Sequence, residues 1–252
     1  LTALIARTGV DSVLWVGTSM GGMIGMLLAA QPGTPIRKLV LNDAGPVVTR
    51  ASLQRIATYV GVAPVFPDLA AAEEYIRAIN APFGPHSDAE WRFLTEVVVR
   101  RNADGSLRMH YDPNLGEPFR AQMPEKDLEL WPVWDAVRCP TLVLRGAQSD
   151  LLTRETCAQM ERRGPKAQVV EIAGVGHAPT LMHADQIAIV LRPGVTFESY
   201  TLENPFRLVF DVHQPGQATA GAAAPIGGAI DRPGVRTIVI DPMFDESFNK
   251  RN

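Results

Sequence analysis

Short, near-continuous apolar runs alternate along this chain with segments whose apolar positions recur at helical spacing. Residues 13–17, 36–42, 139–146 and 167–172 are runs of the first kind. Such runs are expected of strands buried on both faces of a parallel sheet. Residues 21–31 read as a helix ended by Pro32-Gly33, and 154–163 as a helix capped by Thr153 and stopped by Gly164-Pro165. A last helix is expected at 183–191, and residues 1–8 resemble the end of an amphipathic helix closed by Gly9. Strand–helix alternation of this kind predicts an α/β fold, a mostly parallel sheet flanked by helices.

The pattern changes between positions 47 and 138. Leu53, Ile56, Ala57 and Val60 keep helical spacing up to Gly61. Asp68 is placed to cap a helix carrying Leu69, Ala72, Tyr75, Ile76 and Ile79. Ser87 with Glu90 three residues later is a capping box, opening a helix with Trp91, Leu94 and Val98 on one face. Residues 107–111, after the Ala103-Asp104-Gly105 turn, suit a short strand. The expectation is a helical lid over about 47–138 inserted into a domain spanning 1–192. Beyond Pro193 the periodicity changes again. Residues 195–203 and 206–212 alternate like a β-hairpin across Asn204-Pro205, 214–234 is a Gly/Ala/Pro-rich linker, and 235–241 is a final strand.

Composition adds exclusions. The 252 residues are 46% hydrophobic and 20% charged with a net charge of −3, so no basic surface for nucleic acid is expected. No run has the roughly 18 apolar residues of a membrane helix. The start has neither a basic leader nor a cleavage site, and lacks an initiator Met, as if cut from something longer. Cys139 and Cys157 have no metal-ligand spacing and are expected to be packed free thiols of a reducing, cytoplasmic compartment.

The candidate chemistry begins at Gly17-Thr18-Ser19-Met20-Gly21, a Gly-x-Ser-x-Gly between a strand and a helix. A nucleophilic serine held on such a tight turn needs neighbours that are nearly side-chain-free. Ser19 also needs a base and a group to orient that base. Asp150 stands just past the strand 139–146, and His177 just past the strand 167–172. The carboxyl edge of a parallel sheet is where ligands bind. Ser19, Asp150 and His177 are therefore the expected trio. Asp43, after the strand 36–42, is a rival acid, ranked lower and expected to hydrogen-bond a loop. His86, His110, His183 and His213 have no comparable setting.

Residues 16–22 (Val-Gly-Thr-Ser-Met-Gly-Gly), 39–46 (Leu-Val-Leu-Asn-Asp-Ala-Gly-Pro), 141–150 (Thr-Leu-Val-Leu-Arg-Gly-Ala-Gln-Ser-Asp) and 174–179 (Gly-Val-Gly-His-Ala-Pro) together resemble the α/β-hydrolase fold family. The likeness covers about residues 1–192 and is closest to bacterial cytoplasmic members with a helical lid. It implies Ser19 as nucleophile, His177 as base then acid, Asp150 as orienting carboxylate and the Met20 N–H as an oxyanion donor. It implies a small-molecule ester or lactone substrate and no cofactor. The family normally has four further strands before the elbow, and a His-Gly loop supplying a second oxyanion donor. Their absence leaves an open sheet edge, which a homo-oligomer or a missing N-terminal half would cover. Residues 195–212 and 235–242 resemble modules of bacterial cell-wall amidases, with Met243-Phe244-Asp245 where a metal-binding His-Gly would stand. The competing reading is an inactive hydrolase fragment or binding module, directed to the cell wall by this tail.

Overall fold

A computed structural model describes residues 1–7, 9–121, 123–183, 186, 196–202, 207–213 and 235–240. Four parallel strands form the central sheet in chain order: Val13–Thr18, Ile36–Asn42, Thr141–Gly146 and Gln168–Ile172. Their pattern explains why the runs were almost wholly apolar. Leu39, Leu41 and Val143 join one core cluster with Met26, Trp134, Leu152 and Met160. The alternate residues Val16, Val40 and Leu144 pack on the opposite side with Ile172, Val175 and Leu181. Both faces of the sheet thus pack into a core, while Leu14 on the outer strand Val13–Thr18 stays 52% exposed.

Helix Met20–Ala29 crosses from the first strand to the second and buries Gly22, Gly25, Met26 and Ala29. Gly25 is required there, since a Cβ on it would run into the Trp15 indole and come within 3.1 Å of Leu39 Cδ1. Helix and sheet are thus in close contact just below the elbow.

The second and third strands are hydrogen-bonded neighbours, so everything between them is an excursion from the sheet. The expected helices occur there as Arg50–Ala57, Leu69–Ile79 and Asp88–Val98. Asp68 caps the second through the Ala71 N–H at 2.9 Å, and the Ser87/Glu90 capping box forms in both directions. The insert is less purely helical than its periodicity suggests. Val65–Phe66, Leu107–Met109 and Val99–Arg101 form an antiparallel sheet. Phe66, Ala72, Ile76, Trp91, Val99, Leu107 and Met109 give the insert its own core.

In the tail, Thr196–Leu202 pairs antiparallel with Arg207–His213, which pairs antiparallel with Val235–Ile240. Most of the helix expected at 183–191, the Asn204-Pro205 turn and the linker at 214–234 lie outside the described residues. Among the described residues no helix is long and apolar enough to cross a membrane, and no group of three or more His, Cys, Asp or Glu could hold a metal ion. Both cysteines are free thiols, and burial pushes that of Cys157 up to about 12.

Candidate active site

Ser19 sits between the end of the first strand and the first turn of helix Met20–Ala29, with φ 51 and ψ −118. A non-glycine residue at positive φ is uncommon and is tolerated only where the surroundings enforce it. The enforcement is visible. Ser19 donates its N–H to Asn42 O at 2.9 Å, and its carbonyl accepts from Gly22 N at 2.9 Å and Met23 N at 3.1 Å. The Trp15 indole donates to Gly21 O at 3.0 Å.

The glycines divide differently from the motif. A Cβ on Gly17 would fall against the Gly21 carbonyl, and one on Gly22 would lie 2.7 Å from Ala44 Cβ. One on Gly21 would meet nothing within 4 Å. The close approaches that shape the turn belong to Gly17 and Gly22. Met20 is the first residue of the helix, where a backbone N–H has no carbonyl one turn back to pair with.

After a register shift between Val13 and Leu14, the first two strands stay in register to Thr18 opposite Asn42. One residue further, Ser19 and Asp43 leave the two strands side by side, both with φ 51. Asp43 is completely buried. Its Oδ1 accepts from Gly146 N at 2.9 Å, and its Oδ2 accepts from Ser149 Oγ at 2.5 Å. The same Oδ2 lies 2.6 Å from His177 Nδ1. The other ring nitrogen of His177, Nε2, lies 2.9 Å from Ser19 Oγ. With Nδ1 donating to Asp43, Nε2 is left with the lone pair that can accept the Ser19 proton. His177 is itself nearly buried.

Of the residues read from sequence, Ser19 and His177 are brought together, and Asp150 is not brought to them. The expected Asp150–His177 contact is replaced by Asp43–His177. Asp150 instead accepts from Arg55 Nε at 2.5 Å and Arg55 Nη2 at 2.8 Å, with half of its side chain exposed. The reason lies in the loop that follows the third strand. Ala147 N–H bonds to Ile172 O and Gln148 N–H to Val175 O, which ties the loop to the His177 side. Ser149 turns inward onto Asp43, and its neighbour Asp150 turns outward to the insert.

Asp43, the lesser rival on sequence grounds, is the acid that meets His177. It follows the strand adjacent to the elbow strand, one step past the last paired residues. Asn42 went unnoticed. Fully buried, it donates from Nδ2 to Pro179 O at 2.7 Å and to Thr18 Oγ1 at 3.0 Å, joining the elbow strand to the segment just after His177.

The insert is seated on that same segment. Gly176 N–H donates to Pro82 O at 2.6 Å, and Thr180 Oγ1 pairs with His86 Nε2 at 2.9 Å. A Cβ on Gly84 would come 2.9 Å from Gly174 O. Nearby, the Glu90 carboxyl is held below its ordinary range by hydrogen bonds from the Ser87 backbone and hydroxyl.

Comparisons with known proteins agree with this architecture. The 3-hydroxybutyrate-oligomer hydrolase of Cupriavidus necator is 44% identical over 196 residues, covering 75% of this chain and 67% of that protein. The pimeloyl-[acyl-carrier protein] methyl ester esterase of Xanthomonas campestris is 26% identical over 202 residues, covering 76% and 73%. A Rickettsia typhi protein of known structure superposes with a TM-score of 0.69 at 33% identity, covering 75% of this chain and 64% of that one. The chain thus spans roughly two thirds of the length of these relatives. The sequence pattern of the Alpha/beta hydrolase family matches residues 1–189. Four parallel strands, an elbow serine and three quarters of the chain's length point one way: this chain belongs to the alpha/beta hydrolase family.

Proposed function

We propose that the protein is a serine hydrolase that cleaves an ester bond of a small organic substrate through an acyl-enzyme. The observation that carries the reading is the continuous line from Ser19 Oγ to His177 Nε2 at 2.9 Å and from His177 Nδ1 to Asp43 Oδ2 at 2.6 Å. Nothing in this sequence of proton transfers calls for a metal or an organic cofactor.

Ser19 Oγ attacks the ester carbonyl carbon while its proton passes to His177 Nε2. The imidazolium so formed lies against the buried Asp43 carboxylate, which holds its tautomer and orientation. The developing oxyanion is stabilised by the Met20 N–H, aimed from the first turn of helix Met20–Ala29. Collapse of the tetrahedral intermediate expels the alcohol, which takes the proton from His177 Nε2. Water then attacks the acyl-Ser19 carbonyl, with His177 again removing a proton, and the acid leaves with Ser19 restored. The insert, seated on the segment around His177, acts as the lid that decides which acyl groups enter.

The Cupriavidus relative supports short hydroxyacid oligoesters as the substrate class, because the units of a 3-hydroxybutyrate oligomer are joined by ester bonds. The methyl ester esterase supports the same bond type. A fluorophosphonate probe is expected to label the protein, and Ser19→Ala to abolish labelling. Incubation with the 3-hydroxybutyrate dimer is expected to release 3-hydroxybutyrate. Equal labelling of both proteins would overturn the assignment of Ser19.

A further inference from the structure

Ser149 lies in the loop after the third strand and is 8% exposed. Its Oγ accepts the N–H groups of Leu151 at 3.2 Å and Leu152 at 3.1 Å. With both lone pairs engaged, its proton goes to the remaining neighbour, Asp43 Oδ2, at 2.5 Å. That is the oxygen that also faces His177 Nδ1. Gly146 N–H holds the other carboxylate oxygen. One donor at the end of the third strand and one in the loop after it therefore clamp both oxygens of Asp43.

The loop is itself braced from below. Arg145, 6% exposed, donates from Nε to Leu152 O at 2.7 Å, from Nη1 to Ala147 O at 3.2 Å and from Nη2 to Ser149 O at 3.3 Å. Its Nη1 also pairs with Glu171 Oε2 at 2.6 Å. One guanidinium thus binds three carbonyls of the loop that carries Ser149.

We propose that Ser149 is a positioning residue for the hydrolysis, its hydroxyl fixing Asp43 Oδ2 in line with His177 and drawing electron density from that oxygen. The proposal rests on the reading of Ser19, His177 and Asp43 as the reacting group. The plainer role for Ser149 is to build the turn through the Leu151 and Leu152 N–H bonds. A turn-building role alone would change stability and leave the Asp43–His177 hydrogen bond as it is.

The full chain tests the difference through the low-field proton resonance of His177 Nδ1–H and the rate at which a fluorophosphonate labels Ser19. Asp43→Asn is expected to remove the low-field resonance. Ser149→Ala is expected to move it further downfield, because Oδ2 becomes the stronger acceptor. The labelling rate is expected to fall about tenfold, the scale of one hydrogen bond to a charged group. Ser149→Thr, which keeps the hydroxyl, should restore both. Should Ser149→Ala fail to fold, Ser149→Cys carries the test, with a smaller shift in the same direction. If the folded Ser149 variant matches wild type in resonance and rate while Asp43→Asn loses the resonance, Ser149 has no positioning role and the reacting group stands. If Asp43→Asn keeps the resonance, the reacting group itself has been misread, and the Ser149 proposal falls with it.

Discussion

Two aspartates stand just beyond the ends of neighbouring strands, and the structure treats them oppositely. Asp43 is fully buried and faces three donors: Gly146 N–H, Ser149 O–H and His177 Nδ1. Asp150 is half exposed and paired with one guanidinium from the insert. A carboxylate removed from water must be repaid by fixed donors, and fixed donors are what hold it in one orientation. An exposed carboxylate pair gains little and orients little. The lesson is that position at a strand end nominates a residue, while burial and donor geometry select it.

The largest expected contrast is in reactivity. Asp43→Asn should lower fluorophosphonate labelling or ester turnover by about 10³- to 10⁴-fold, the scale seen when a triad carboxylate is neutralised in a characterised protease. Asp150→Asn should stay within about threefold of wild type, because a surface change away from the reacting atoms alters little. Comparable losses in both variants would erase the distinction between the two strand ends.

Next comes the elbow that places Ser19 beside Asp43. Gly17→Ala forces a methyl into the Gly21 backbone and should destabilise the fold by about 3 kcal/mol, read by chemical denaturation. Gly21→Ala meets open space within its helix and should be neutral or stabilising by up to about 1 kcal/mol. A cost for Gly21→Ala as large as for Gly17→Ala would show that the two glycines share one role.

A third contrast concerns the brace beneath Ser149. Hydrogen bonding from Arg154, aided by the charges of Arg154 and Arg145, lowers the Glu171 carboxyl to about 2. A carboxylate with a depressed folded value adds stability above its unfolded value, and loses it as pH falls through the folded one. Glu171→Gln should therefore be less stable than wild type at neutral pH, and the gap should close between about pH 4.5 and pH 2. Thermal melts of both proteins across that range would reveal it, and a gap that widens toward acid would contradict the sign.

The smallest effect belongs to the exposed pair. Arg55→Ala should cost no more than about 1 kcal/mol, in keeping with surface ion pairs. A much larger loss in denaturant unfolding would mean that the insert depends on this contact to stay seated.

Much of the scaffold was readable one residue at a time, because the signals are local. Near-continuous apolar runs marked the four sheet strands, since residues on both faces of the sheet pack into core clusters. The Asp68 cap and the Ser87/Glu90 box marked two helix starts, because the bonds they make span only three residues. Small sheets inside the insert were less legible, as strands of two or three residues carry too few alternations to show a period. Ser19 and His177 were legible for a related reason: glycine-rich turns at strand ends are visible locally.

The sequence by itself determined the layered α/β architecture, the serine turn between strand and helix, and a histidine just past the end of the fourth strand. Only the tertiary structure decided between Asp43 and Asp150, because that choice depends on contacts across 134 positions for Asp43–His177 and 106 for Asp43–Ser149. Strand register sets Asp43 beside Ser19, and the inward turn at Ser149 sends Asp150 away from His177. A carboxylate's partner is settled by which donors reach it in three dimensions once water has been excluded, and no spacing along the chain encodes that distance.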